Sequence, residues 1–536
     1  MPVSMSPILR APAVHPFSGF DVPRLLAHHA GQRPNHPFLV WEPFEGPSQV
    51  WTYAEFADAA IRVAAGLKAR GVKFGERVLI HLDNCPESLI AWYACAHLGA
   101  VAVTTNARSV ADELTYFSGH AGAVGAITQP KFAELVQSAC RDIKWLAVTE
   151  TDNGAPPAQG HRPPMAESFS ALYGDASTVP MRPADPMANV GIQYTSGTTS
   201  RPKGVVWTHA NALWGAKLSA LHETLTPDDV HLVYLPLFHT NAQSYSILAS
   251  LWAGGTVVVQ PRFSASRFWE VSLRRRCTWT SMVPFCVRAL MGQDVPKEHH
   301  YRLWGNGVAS LPTDAHFRVR TIGWWGMTET ITHGIVSDPF IPAPAMSIGK
   351  PSLAYEIAIL NEDGSPTAVG DTGALLIRGI PGLSLFKEYL NNPEATASSF
   401  DEKGFFITGD RVTLMEDGFI RFADRDKDML KVGGENVAAS EIETVVMGVA
   451  GIQECAVVAR KDPMLDEVPV VFVLVPGGEP AAAADLKDQV IAACRKSLAD
   501  FKVPREVRIV DALPRSTLEK IAKAELRKVL EEDGRG

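Results

Sequence analysis

The stretch that decides the reading is YTSGTTSRPKGV, from Tyr194 to Val205. Small and hydroxyl-bearing residues let a loop come close to phosphate oxygens and offer them backbone N–H and hydroxyl donors. Lys203 adds a positive charge at the loop's end. The order of residues is not that of a Walker A loop, because Lys203 is followed by Gly204 rather than by Ser or Thr. A lone Gly/Ser/Thr-rich loop is usually just a polar turn, so the weight falls on what surrounds it.

Upstream, helix and strand signals alternate. Phe56, Ala60, Val63 and Leu67 share one helical face, with Gly71 as a stop. RVLIHL, from Arg77 to Leu82, has strand length. CPESLIAWYACAHLG then reads as a helix with Pro86 in its first turn and Gly99 past its end, and AVAVT from Ala100 as the next strand. That succession is a βαβ unit of a mostly parallel, helix-covered sheet. From Thr151 to about Val190 the chain is rich in Pro, Gly and Ala and reads as a long surface connection. Strand-like runs resume at Val230 and Gly254. After a charged, then Gly-rich stretch from Asp424 to Asn436, smaller βα signals follow: CAVVA, VVFVLV and DLKDQVIAACRKSLAD.

The expected architecture is therefore α/β. A large N-terminal domain of βαβ-layered sheets spans residues 1–426 and a small α+β domain spans 428–536, with the boundary near Lys427. The chain has 536 residues, enough for more than one domain at roughly 100–200 residues each. Apolar residues make up 46% and charged residues 20%, which excludes a mainly disordered chain or a small stapled scaffold. The net charge of −8, from 50 basic and 58 acidic residues, argues against nucleic acid as a partner. Seven scattered cysteines without a CxxC argue against a disulfide framework or zinc site and suit reduced thiols in the cytoplasm. The start, MPVSMSPILRAPAVHPF, has no apolar h-region and does not read as a secretory signal, and without a run of about 18 apolar residues no spanning helix is expected.

The segment from Tyr194 resembles the phosphate-loop signature of the adenylate-forming superfamily, which includes acyl-CoA synthetases, peptide-synthetase adenylation domains and luciferases. Further segments resemble that family's motifs in order: PLFHTNAQ from Pro236, NGVASLP from Asn306, GWWGMTET from Gly323, TGD ending at Asp410, DRDKDMLKVGGENV from Asp424, and PRSTLEKIAKAEL from Pro514. Ser200 within TSGTTSRPKGVV, together with MTETI, GIPG at Gly379, FKEYLNNPEATA at Phe386 and KVGGENV, is similar to the crotonobetaine/carnitine–CoA ligases.

The resemblance implies an ATP-dependent acid–CoA ligase. A carboxylate attacks the α-phosphorus of ATP, pyrophosphate leaves, and the thiol of coenzyme A then displaces AMP from the acyl-adenylate. Thr195, Ser196, Gly197, Thr198, Thr199 and Lys203 would hold the β- and γ-phosphates. Thr328 would contact the α-phosphate, Glu329 would hold Mg²⁺, and Lys520 would bridge the carboxylate and the transferring phosphate. Asp410 and Arg425 would take the ribose. Trp325 would stack on adenine, with Gly307, Val308 and Ala309 as the opposite wall. A rotation about Lys427 would withdraw Lys520 and bring Gly433 and Gly434 to the pantetheine. The acid pocket would draw on His239, Gln243, Trp304, Trp324, Met327 and His333. Aromatic walls of this kind suit an aryl acid and equally a trimethylammonium group.

One position departs from the family pattern: Glu519 stands where a glycine commonly precedes the lysine. Two other functions stay open at this point, an adenylating enzyme that loads a carrier protein and a non-catalytic nucleotide-binding relative. A homodimer is one option for the assembly, which the sequence does not fix.

Overall fold

The computed structural model describes residues 14–156, 163–195, 201–425, 429–475, 483–514 and 521–533. Contacts group the chain into two compact units. The first comprises Met1–Ala107, Phe117–Tyr194 and Gly204–Asp424; the second comprises Arg108–Tyr116, Thr195–Lys203 and Arg425–Gly536.

In the first unit the βαβ unit forms at the expected place. The strand Arg77–His81 pairs in parallel with Val101–Thr104, and the helix Pro86–Leu98 crosses between them. Pro86 sits in the helix's first turn, where its missing N–H costs nothing, and Gly99 closes it at φ 82°, which a side chain would resist. The preceding helix, Tyr53–Ala69, is started by a reciprocal cap: Thr52 accepts from the Glu55 N–H, and Glu55 accepts from the Thr52 N–H. Phe56, Ala60, Val63 and Leu67 are all buried, so the period read from sequence is the face that packs.

Among the described residues, this βαβ unit lies inside an eight-stranded sheet. Its order runs Glu388–Tyr389, Lys203–Thr208, Asn189–Thr195, Val101–Thr104, Arg77–His81, Ala123–Thr128, Leu146–Val148 and Ala166–Ser168. A second sheet has nine described strands: Lys350–Pro351, Ile335–Val336, Arg320–Trp325, Leu303–Asn306, Trp279–Ser281, Val230–Val233, Thr256–Val259, Pro37–Trp41 and Gln49–Thr52. Both are parallel in the middle and antiparallel at an edge. A smaller antiparallel sheet of Glu356–Leu360, Thr372–Arg378, Phe406–Leu414 and Ile420–Arg425 completes the unit. The long connection expected from Thr151 to Val190 carries more structure than its composition suggests. Ala166–Ser168 forms an edge strand paired with Leu146–Val148, and two 3₁₀ turns follow, the first burying Phe169 and Leu172.

Among its described residues, the second unit is a five-stranded sheet buried on both faces. Strand alternation sends Cys455, Val457, Val471 and Val473 to one face, where they meet Ile442, Val446, Val490 and Cys494 from the helices Ala439–Met447 and Ala483–Ser497. Ala456, Val458, Val470 and Phe472 face the other way, onto Leu526 and Leu530 of the helix Lys523–Asp533. The seven cysteines are all buried and unpaired. No helix among the described residues is long and apolar enough to cross a membrane.

Candidate active site

The site of the first unit is built on strand ends. The strand Arg320–Trp325 runs into a single 3₁₀ turn, Thr328–Thr330, which presents Thr328 and Glu329 in succession. The Thr328 carbonyl accepts from the Trp207 indole N–H at 3.0 Å, and the Glu329 carbonyl from the Phe386 N–H at 2.8 Å, so the turn is pinned from two sides. The Thr240 hydroxyl lies 3.2 Å from Thr328 Oγ1 and 2.9 Å from Gln193 Oε1. The Glu329 carboxylate is buried, and its Oε1 accepts the Tyr389 hydroxyl at 2.8 Å. Burial, and then that neighbouring carboxylate, push the Tyr389 phenol well above its ordinary value, so it stays a donor.

The aromatic expected at the adenine is tied to the acid expected at the ribose. Trp325 donates its indole N–H to Asp410 Oδ2 at 2.8 Å, and both residues are buried. Asp410 lies on the strand Phe406–Leu414, and its backbone N–H is held by the Thr408 hydroxyl at 3.1 Å. One bond thereby fixes the indole plane and the carboxylate together, an arrangement that a tyrosine at position 325 would not reproduce in the same way.

The loop Gly307–Ala309 follows the strand Leu303–Asn306. Ala309 is fastened at both ends: its N–H donates to the Ser347 carbonyl at 2.7 Å, and its carbonyl accepts from Met346 at 3.0 Å. The Gly307 N–H is held by the Asn306 side chain at 2.6 Å. Gly323 permits this close approach, since a Cβ there would lie 2.5 Å from the Ala309 nitrogen.

Of the residues expected in the acid pocket, Gln243 belongs to the π-helix Asn241–Leu248, whose wider turn departs from the usual helical spacing. His239 lies two residues before it, and its carbonyl accepts from Gln243 N at 3.0 Å. His333 stacks on Trp324 with centroids 4.4 Å apart and packs on Tyr245 at 4.2 Å. Burial, and then His222, hold the His333 imidazole well below its ordinary pKa. Met327 is partly buried against the core. Trp304 is the residue that the structure places elsewhere. Leu303 joins Trp279, Ile322, Trp324 and Tyr245 in one buried cluster, whereas Trp304 points to the opposite face, into Phe268, Trp269, Tyr301 and Phe317. Neighbouring residues on a strand alternate faces, so Trp304 is core rather than pocket wall.

Thr195 ends the strand Asn189–Thr195 and Lys203 begins Lys203–Thr208, while Arg425 ends Ile420–Arg425. Gly433 and Gly434 form the two-residue turn between Met429–Val432 and Glu435–Ala438, at φ 58° and 89°. Ser196, Gly197, Thr198, Thr199, Lys427, Glu519 and Lys520 lie outside the described residues. Sequence reasoning missed Thr240, Gln193 and Tyr389. Gln193 had a signal: it is a polar residue directly after the apolar run VGI in a central strand, and such residues are rarely buried without a task.

This fold and site define an enzyme that binds an adenine nucleotide and activates an acid. A family model described as AMP-binding enzyme matches residues 26–390, and the AMP-binding enzyme C-terminal domain matches residues 441–520. The chain belongs to the AMP-binding enzyme family. Its relatives include a crotonobetaine/carnitine–CoA ligase of Proteus mirabilis, 34% identical over 91% of this chain and 95% of the relative, and one of Salmonella typhi, 33% identical over 93% and 97%. Among solved structures it is similar to o-succinylbenzoate CoA synthetase from Bacillus subtilis, with TM-score 0.79, 26% identity, and 95% and 98% of the two chains covered. A Mycobacterium tuberculosis fatty acyl CoA synthetase gives TM-score 0.67 at 27% identity, covering 95% and 98%. The chain is an AMP-forming acid–CoA ligase that uses ATP and coenzyme A.

Proposed function

We propose that the residues around Thr328 carry the adenylating step of this ligase. The observation that supports this best is the paired fixing of Trp325 on Asp410 and of Glu329 on Tyr389, at the two ends of the segment that carries Thr328. Asp410 accepts the ribose hydroxyls, assisted by Arg425, and the anchored Trp325 ring stacks on adenine against Gly307, Val308 and Ala309. Thr328 donates its hydroxyl to the α-phosphate, and Thr240 positions that hydroxyl. Thr195, Ser196, Gly197, Thr198, Thr199 and Lys203 hold the β- and γ-phosphates.

Glu329 fits a magnesium ion. It is a buried hard-oxygen donor oriented by a second group, and magnesium commonly takes one or two carboxylates plus phosphate oxygens rather than a protein cage. When bound, the ion supplies charge neutralisation on the leaving pyrophosphate. Lys520 brings positive charge to the incoming carboxylate in the first half-reaction. It then gives way, about the hinge at Lys427, to the coenzyme A thiol, because one place cannot hold both groups. The acid lies near His239, Gln243, Met327 and His333.

The test separates the half-reactions. Lys520→Ala is expected to abolish acid-dependent pyrophosphate exchange while still converting a supplied acyl-adenylate and coenzyme A to thioester. Intact exchange in that variant would refute the assignment. Transfer to a carrier protein with coenzyme A refused would favour the carrier-loading reading instead.

A further inference from the structure

The floor of the acid pocket shows which acids it can take, given the placement of the acid in the proposed function. Trp279, Leu303, Ile322, Trp324 and Tyr245 form one buried cluster where the strands Trp279–Ser281, Leu303–Asn306 and Arg320–Trp325 meet the π-helix. Gly305 contributes no side chain to this face, and the Trp324 indole fills the space: a Cβ on Gly305 would lie 1.6 Å from its ring. The outer edge of the Trp324 ring therefore reaches over Gly305 on the neighbouring strand, on the side where the acid is proposed to lie.

Other rings surround that indole. Trp279 stacks on it at 5.9 Å with the planes 5° apart, arriving from beyond the strand Leu303–Asn306. His333 stacks at 4.4 Å and 13°, arriving from the connection into Ile335–Val336, at the other edge of Arg320–Trp325. Tyr245 meets the indole edge-on at 5.7 Å, and His231 extends the column beyond Trp279 at 5.5 Å.

A trimethylammonium group bound by cation–π attraction needs an open ring face, and it gains further from an ionised carboxylate nearby. Trp324 is buried within this cluster, so its indole offers no open surface to such a group. Glu223 is buried with His231 4.0 Å from its carboxylate, and Asp229 is paired with Arg302 at 2.8 Å.

We propose that Trp324, seated over Gly305 between Trp279 and His333, is the specificity-determining floor of the acid pocket, and that the enzyme activates a short uncharged aliphatic acid rather than a long-chain or trimethylammonium-bearing one. This departs from the acids named for the relatives of Proteus and Salmonella, so it is open to direct contradiction.

The experiment gives the full-length protein ATP, Mg²⁺, coenzyme A and one acid at a time: butyrate, crotonate, hexanoate, decanoate or crotonobetaine. Acyl-CoA is measured by mass spectrometry, and kcat/KM is compared. Crotonate and crotonobetaine form a matched pair that differs by the trimethylammonium group. The wild type is expected to favour butyrate and crotonate by at least ~10-fold over decanoate and crotonobetaine. Trp324→Ala is expected to shift the ratio of hexanoate or decanoate to butyrate upward by a similar factor, and Trp324→Leu carries the same comparison should the alanine variant fold poorly. A wild type that prefers crotonobetaine or decanoate overturns the proposal, as does a ratio unmoved by both variants. If none of these acids yields acyl-CoA the proposal falls, and pyrophosphate exchange with benzoate then tells whether the adenylating role survives it.

Discussion

The two units bury their cores with different chemistry. All twelve tryptophans and all sixteen histidines lie in the first unit, and the second has neither. The first unit packs rings against rings, as in the column from His231 to His333, and it keeps imidazoles inside its sheets. The second fills its sheet mainly with Val, Ile, Leu, Ala and Cys, with Phe472 and Phe501 as its buried rings among the described residues, and the buried Lys502 is met by carboxylates. The lesson is practical. Tryptophan fluorescence reports on the first unit alone, and acid strikes the first unit's histidines without touching any in the second.

The largest expected effect follows from those histidines. Burial holds His81 at about 4, and burial with the adjacent Arg182 holds His209 at about 3. His209 accepts from the Arg182 guanidinium at 2.8 Å, which favours the neutral ring. The folded pKa values are depressed below the unfolded value near 6.5, so the unfolded chain takes up protons that the native chain refuses. The stability from keeping these rings neutral is fully present above about pH 6.5 and falls as the pH drops towards 4, by about 1.4 kcal/mol per pH unit for each ring. Denaturation followed by tryptophan fluorescence between pH 7 and 5 should show this decline, and His81→Gln should make it shallower. A slope unchanged in that variant would mean that His81 is already protonated in the native protein.

The second unit has its own vulnerable point. Lys502 is buried, with Nζ 2.5 Å from Glu113 Oε1 and 3.5 Å from Glu441, and Glu113 belongs to the Arg108–Tyr116 segment grouped in this unit. Burial opposes the ammonium charge, but the two carboxylates outweigh it and raise its pKa. Removing one partner of such a group strands the others in a dry place, at a cost of about 3–5 kcal/mol. Lys502→Ala should therefore lower an unfolding transition seen by circular dichroism while the tryptophan transition stays in place. A matching fall in both would show that the two units unfold as one.

Legibility differed between kinds of feature rather than between units. The βαβ unit from Tyr53 to Thr104 was readable because period, Pro86 and Gly99 agree with the tertiary outcome. The strand Ala166–Ser168 was not, since three residues are too few to show a period. The π-helix Asn241–Leu248 escapes for a related reason, because its turn is not the one that pattern reading assumes. At the site, motif order singled out Thr328, Glu329, Trp325 and Asp410, but it could not show that Trp325 is bonded to Asp410 or Glu329 to Tyr389. Those pairs join segments 85 and 60 residues apart, and only the fold brings them together. Trp304 failed on strand parity: whether Leu303 or Trp304 faces the pocket depends on a register that residue type does not encode.

The smallest effects concern two glycines, one in each unit, that sequence alone treats alike. Gly307 has nothing within 4 Å of a would-be Cβ and no left-handed φ, so Gly307→Ala should change stability by less than about 0.5 kcal/mol. A rise in its KM for ATP would then support the proposed adenine wall, and an unchanged KM would count against it. Gly434 is different. With Gly433 it makes a two-residue hairpin turn of the kind that demands positive φ at both positions, and its own φ is 89°. Gly434→Ala should cost the second unit about 1–2 kcal/mol, and an accompanying rise in KM for coenzyme A would be ambiguous. Gly434→Asn resolves the ambiguity, because Asn visits the left-handed region with less strain. If the asparagine variant keeps its stability and still raises the KM for coenzyme A, the backbone at 434 approaches the pantetheine and has no room for a side chain. If both stability and KM are restored, the glycine is there for the turn alone, and coenzyme A recognition must be sought elsewhere in the unit.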